Sequence, residues 1–265
     1  MISNLLTQDF LEKGYFVTQN IFSQKDIKNM RLRIDDIILG KFKKLGRRFQ
    51  TDTDSLQYNG LPTTKTEYRG PDVVYRKISD LEYDDCFLKI LQSGGISEVL
   101  THLLGDTISI MRFGVVEKPA FGGAPIPWHQ DTCLDWPTTI PPGLAIWFPL
   151  DKATSSAGTL QVIPESHKNG EIGRGHLLPQ NMEKKYAPRN RILDVEINCG
   201  DCLFFHPALL HRSGINQTKT TRRALNVLLI AGNAIHTGKQ LPYPILKGSE
   251  QLEPNKVSEL SSIPD

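Results

Sequence analysis

Asp201-Cys202-Leu203-Phe204-Phe205-His206-Pro207-Ala208-Leu209-Leu210-His211-Arg212-Ser213-Gly214 holds two short apolar runs, broken at His206-Pro207 and closed by Gly214. Apolar runs of this length between proline and glycine read as β-strands, since a globular helix needs roughly ten residues or more. The same pattern extends outward in both directions. Strands are expected at 108–116, around 128–133, and at 144–150, 159–163, 192–197, 202–206, 209–213 and 223–230, bounded by Gly, Pro, Asn and Asp. Eight such strands suit a jelly roll, a double-stranded β-helix, as the core.

Upstream the pattern is helical. Thr7 to Lys13, followed by Gly14, reads as a short helix, and Phe16-Val17 as a brief strand. Ser23-Gln24-Lys25-Asp26 opens a second helix whose apolar positions Ile27, Met30, Ile34 and Ile38 recur at helical spacing. A third pattern, 85–104, is expected to split at Gly94-Gly95. Residues 40–72 are polar and aperiodic, which predicts an excursion or lid, and 168–191 read as a second insertion. The tail from about residue 238 is expected to pack loosely or be disordered. The expectation is one mainly β domain with flanking helices: 1–105 as helical support and lid, 106–232 as the jelly-roll core, and 233–265 as a tail.

Composition narrows the function classes. Of 265 residues, 39% are hydrophobic and 23% charged, which excludes disordered, collagen-like and coiled-coil readings. A net charge of +2 gives no mandate for nucleic acid. The longest apolar stretches, such as 227–231, fall short of a membrane span, and the N-terminus lacks a signal pattern. A soluble cytoplasmic protein is expected. The cysteines at 86, 133, 199 and 202 form no secreted disulfide framework, and Cys199-Gly200-Asp201-Cys202 reads as a turn between strands.

His129-Gln130-Asp131 stands out among the histidines. In an extended segment residues i and i+2 project to one face, so an imidazole and a carboxylate lie side by side. His211, in the second apolar run quoted above, is the candidate third ligand. Two imidazoles and one carboxylate form the facial set that suits iron(II) and leaves positions open, although zinc on a hydrolytic site is compatible with the same donors. Folding the chain about the polar turn 214–219 would set His211 opposite Arg222 and Ser213 opposite Thr220. Arg222 and Ser213 would then receive the far carboxylate of a dicarboxylic 2-oxo acid, with Arg223 on the other face.

Trp128-His129-Gln130-Asp131, the stretch 157–168 ending Pro164-Glu165-Ser166-His167-Lys168, and the stretch 200–216 leading to Arg222 together resemble the phytanoyl-CoA dioxygenase family of iron(II)- and 2-oxoglutarate-dependent oxygenases. The resemblance covers about residues 75–231. It implies a cupin-like barrel, iron held by His129, Asp131 and His211, and 2-oxoglutarate anchored by Arg222 and Ser213, with dioxygen as second cosubstrate. It further implies that Trp147 and Met111 line the cosubstrate pocket and that Lys77 reaches it from outside the barrel. His167 and His206 are assigned to loop structure and packing. Halogenating relatives have a small residue in place of the carboxylate; Asp131 therefore implies hydroxylation or a related oxidation.

The implied substrate is a small molecule such as an acyl thioester, an amino acid or a secondary metabolite, with Trp128, Trp136 and 137–142 at the mouth. The basic run Lys41, Lys43, Lys44, Arg47 and Arg48 reads as either an anion-meeting patch or a solvated helix end. Two other classes share these residues: a cupin-like metal-dependent hydrolase or isomerase, and a non-catalytic sensor of 2-oxoglutarate or metal.

Overall fold

The computed structural model describes residues 4–42, 47–51, 67–172 and 175–257. In chain order the elements are α1 (Asn4–Lys13), β1 (Tyr15–Thr18), α2 (Gln24–Ile38), β2 (Phe49–Thr51), β3 (Tyr75–Ser79), α3 (Asp85–Leu91), α4 (Gly94–Leu104), β4 (Ile108–Lys118), β5 (Ile126–His129), β6 (Leu144–Pro149) and β7 (Leu160–Val162). There follow α5 (Glu183–Tyr186), β8 (Leu193–Val195), β9 (Cys202–Phe205), β10 (His211–Ser213), β11 (Arg222–Ala231), β12 (Ile235–His236), β13 (Leu241–Pro242), β14 (Ile245–Lys247) and α6 (Pro254–Val257).

A major sheet runs β1-β9-β6-β11-β4-β3-β2, with β14 also on β4, and a minor sheet runs β5-β10-β7-β8. All of their pairings are antiparallel. This is the expected double-stranded β-helix. The eight strands expected from the sequence all form, as β4 to β11, within a few residues of their predicted ends.

The major sheet is buried on both faces, which explains why β6 reads as an unbroken apolar run. Leu144, Ile146 and Phe148 face a large core shared with the helices, in company with Leu225, Val227 and Leu229 of β11. Ala145 and Trp147, with Ala224 and Leu228, instead join Leu160 and Val162 of the minor sheet inside the barrel. α2 supplies Ile27, Met30, Ile34 and Ile37 to the outer core, and a capping box between Ser23 and Asp26 fixes its start. Each large apolar side chain buried there contributes about 1.5–3 kcal/mol.

Several expectations need correction. The first hundred residues are not wholly helical, because β2 and β3 extend the major sheet. Within 40–72, residues 43–46 and 52–66 lie outside the described residues. Of the basic run, Arg47 is buried against Asp84 at 2.5 Å and Arg48 forms a two-pronged pair with Asp80 at 2.7 Å; Lys41 pairs with Asp36. Lys43 and Lys44 lie outside the described residues. As far as Val257 the tail is packed rather than loose, since β14 pairs with β4 and Leu246 and Val257 are buried in the outer core; residues 258–265 lie outside the described residues.

The expected hairpin about 214–219 is also absent. β10 pairs with β5 and β7, whereas β11 pairs with β4 and β6, so His211 and Arg222 belong to opposite sheets. Asn216 holds the crossing, donating to the carbonyls of Lys118, Pro119 and Thr220. Among the described residues no helix is long and apolar enough to cross a membrane, and all four cysteines are free.

Candidate active site

Pairing of β5 with β10 sets His129 directly opposite His211, with ring centroids 4.0 Å apart. Asp131 follows just beyond β5, its N–H donating to Pro207 O at 2.7 Å. One carboxylate oxygen lies 3.7 Å from His211 Nε2. The three predicted ligands are thus neighbours, while the three donor atoms that lie within 4.8 Å of one another among the described residues are those of His129, Asp131 and His176.

Their donor chemistry fits a cation. His129 Nδ1 lies 2.8 Å from Pro127 O and His211 Nδ1 lies 3.0 Å from Leu209 O. A carbonyl only accepts, so in each ring Nδ1 carries a proton, and the neutral form of the ring directs its lone pair from Nε2. Burial, reinforced by the neighbouring His211 and His176, pushes His129 well below its ordinary pKa and keeps it unprotonated. Burial alone would raise the Asp131 carboxyl; Arg112 above all, then His211 and His129, hold it well below the usual carboxylate range. Two lone pairs and a carboxylate facing one another repel unless a cation lies between them. Two histidines with one carboxylate suit an iron(II) centre with open positions.

Arg112 supplies the charged contact to this group, donating to Asp131 Oδ1 at 2.9 Å. A β-bulge places it there. The register between β11 and β4 slips as Leu228 pairs with Arg112 and Leu229 with Ile110, so Met111 is the extra residue. Ile110 and Phe113 face the outer core, whereas Met111 packs against the inner cluster and Arg112 reaches the metal end.

The second end of the pocket is built around Arg222. Its side chain is buried, stacks 5.6 Å from the Trp147 ring and donates to Gly158 O at 3.0 Å. Burial lowers its pKa to about 10, leaving it charged at neutral pH. Its Nε has no hydrogen-bond partner among the described residues, and neither does the buried Ser213 hydroxyl or Asn226 Oδ1. Arg223 faces outward, as expected, to Asp151 and Asp35.

The remaining predicted residues divide. Trp147 lies at the Arg222 end, and Met111 packs within the barrel near Ile140 and Ile230. Lys77 pairs across from Val116 of β4 and sits at the metal end; burial, then Arg112, Arg76 and Arg48, drive its pKa well down, with Asp131 opposing. Trp128 is not at the mouth: it is 2% exposed and packs outside the minor sheet with Ile163, Ile172 and Leu178. His167 contacts Leu11 O, and His206 accepts from Ala208 N–H, as structural residues do.

Sequence reasoning missed Arg112, His176 and Asn226. His176 offers a ligand atom within 4.8 Å of those of His129 and Asp131. An arginine within the apolar strand 108–116 was a usable signal, since a charge there must find a partner. His176 lies in a segment with no periodicity and had no such signal.

A double-stranded β-helix with two imidazoles and a carboxylate in its mouth defines the class of mononuclear metal-dependent barrels. The phytanoyl-CoA dioxygenase (PhyH) family profile matches residues 10–224, and the chain belongs to that family. It is 27% identical over 239 residues to a probable phytanoyl-CoA dioxygenase of Caenorhabditis elegans, covering 82% of this chain and 72% of that one. A probable alpha-ketoglutarate-dependent hypophosphite dioxygenase of Stutzerimonas stutzeri is 26% identical over 238 residues, with 86% and 78% covered. Among solved structures, the epimerase SnoN in complex with Fe3+, alpha ketoglutarate and nogalamycin RO superposes with a TM-score of 0.68 at 15% identity, covering 92% of this chain and 98% of that one. EvdO2 of Micromonospora carbonacea var. aurantiaca, complexed with 2-oxoglutarate, gives 0.60 at 18% identity, with 96% of each chain covered. These two likenesses are of fold. The chain is an iron(II)- and 2-oxoglutarate-dependent oxygenase with dioxygen as cosubstrate, acting on a small molecule.

Proposed function

We propose that His129, Asp131 and His211 hold one iron(II), that Arg222 and Ser213 bind the far carboxylate of 2-oxoglutarate, and that the reaction hydroxylates an unactivated C–H bond. The observation that carries this reading is a single barrel interior with two unsatisfied ends: three metal donors facing one another, and a buried guanidinium beside Trp147 with a buried hydroxyl nearby. Iron(II) with 2-oxoglutarate and dioxygen supplies the oxidising power, releasing succinate and carbon dioxide.

The protein's share is positioning and exclusion of water. Arg222 offers a charged fork to a carboxylate in a site from which water is displaced, where such bonds are strong. Trp147 walls the anchor, and Arg112 keeps Asp131 ionised and oriented. Holding both ends of the cosubstrate fixes its reactive carbon relative to the metal ligands. An acyl thioester, an amino acid or a secondary metabolite is the proposed substrate class; the phytanoyl-CoA dioxygenase and hypophosphite dioxygenase names of relatives support an acidic or acidic-headed compound.

Oxygen uptake and succinate release by the iron(II)-loaded protein, screened across those classes, test the proposal. Slow succinate release without substrate, accelerated several-fold by a true substrate, is expected. Turnover by zinc- or manganese-loaded protein without 2-oxoglutarate would contradict it.

A further inference from the structure

Between β7 and β8, residues 170–172 and 176–178 are bonded to β5 and to Gln130 just beyond it. Gln130 N–H donates to His176 O at 3.2 Å, Leu178 N–H to Trp128 O at 2.8 Å, and Leu177 bridges to His129. The buried Gln130 side chain donates to Gly170 O and Ala208 O and accepts from Ile172 N–H. A separate apolar cluster of Trp128, Ile163, Ile172, Leu178 and Leu210 lies beneath. His176 is thereby given a fixed backbone position. Its ring centroid is 4.8 Å from that of His129 and 5.7 Å from that of Trp136.

His176 is not built like the two predicted ligands. His129 and His211 each have Nδ1 against a carbonyl, the bond that normally orients a ligating imidazole. His176 Nδ1 is buried with no hydrogen-bond partner among the described residues. His211 also stands on a paired strand, directly across from His129. These contacts orient His211 as the second imidazole ligand, whereas His176 brings a donor atom within 4.8 Å of those of His129 and Asp131 without such an orienting bond. The charged and titratable neighbours of His176 are His129, Asp131, Arg112, His211 and Lys77, all at the metal end. His176 thus lies at the metal end of the pocket rather than at the Arg222 end.

We propose that His176 is a positioning residue for 2-oxoglutarate, donating a hydrogen bond to the carboxylate-and-keto end held at the metal, with Trp136 backing its ring. This rests on the iron and 2-oxoglutarate reading above, and gives the segment 168–191 a task.

The test is an anaerobic titration of iron(II)-loaded wild type, His176→Ala and His176→Gln with 2-oxoglutarate, followed by the visible charge-transfer band, with iron content measured alongside. Full iron content is expected in all three. His176→Ala should shift the band and weaken 2-oxoglutarate binding about 10-fold or more, and His176→Gln, whose amide still donates, should recover part of both. His176→Gln compared with wild type carries the test if the alanine variant does not fold. An unchanged band and affinity in both variants would overturn the proposal, as would loss of iron, which would make His176 a ligand. Absence of the band in wild type would refute the underlying iron and cosubstrate reading instead.

Discussion

His129 and His211 face each other across the β5–β10 ladder, with their rings 4.0 Å apart. Strand pairing, rather than a flexible loop, therefore sets the distance between the two imidazoles. Register is strongly specified here because a one-residue slip of either strand would turn its imidazole out of the barrel. Asp131, only two residues on from His129, then needs a single orienting contact, which Arg112 provides at 2.9 Å.

Replacing that contact should loosen the metal. Arg112→Gln is expected to lower iron(II) affinity about 10–100-fold, the usual cost of losing a group that orients a ligand. Because Arg112 holds the Asp131 carboxyl down, its loss raises that pKa. Protons then compete with metal at higher pH. Metal binding followed against pH should show its acid limb moved upward relative to wild type; an unmoved limb would argue against the role.

Arg222→Ala should weaken 2-oxoglutarate binding by a factor on the order of 10²–10³, since truncating a buried charged partner costs about 3–5 kcal/mol. Arg222→Lys should restore little, because an ammonium lacks the fork. Calorimetric titration of the metal-loaded variants checks both. Equal affinity for the lysine and arginine forms would mean that charge alone suffices.

Gly158 couples stability to the cosubstrate anchor. Its φ is +69°, and an added Cβ would lie 2.7 Å from Gly214 O and 3.1 Å from Ile215 O. Both are backbone atoms, which cannot swing aside. Its own carbonyl accepts from Arg222. Gly158→Ala is expected to lower the melting temperature by several degrees, a cost of about 1–3 kcal/mol, and to weaken 2-oxoglutarate binding with iron content unchanged.

Glu82 predicts a pH dependence away from the site. Burial, then Asp80, raises its pKa to about 8, and Oε2 lacks a hydrogen-bond partner among the described residues. The folded protein therefore binds this proton more tightly than the unfolded chain. Its stabilising effect is complete below the unfolded value of about 4.3 and disappears as pH rises toward 8. Glu82→Gln should melt with wild type near pH 4 and above it beyond pH 8. A constant difference across that range would refute the assignment.

Much of the barrel was legible because strands 144–150 and 223–230 carry apolar residues on both faces and end at clear turn formers. His129-Gln130-Asp131 was legible because alternation fixes which side chains share a face. Alternation does not say which strands pair. The polar stretch 214–219 therefore read as a hairpin turn, whereas the chain there crosses between sheets; Arg222 reaches the interior from the opposite wall. The bulge at Met111 was illegible for a related reason, since it depends on the partner strand β11. His176 depends on a backbone ladder between an irregular segment and β5, for which local sequence carries no pattern.

The central claim is tested most directly by anomalous scattering at the iron edge from crystals grown anaerobically with iron(II) and 2-oxoglutarate. The account predicts one iron within bonding distance of His129 Nε2, Asp131 and His211 Nε2, with the far carboxylate of the cosubstrate on Arg222. Iron bound through His176 in place of His211, or a cosubstrate carboxylate away from Arg222, would contradict it.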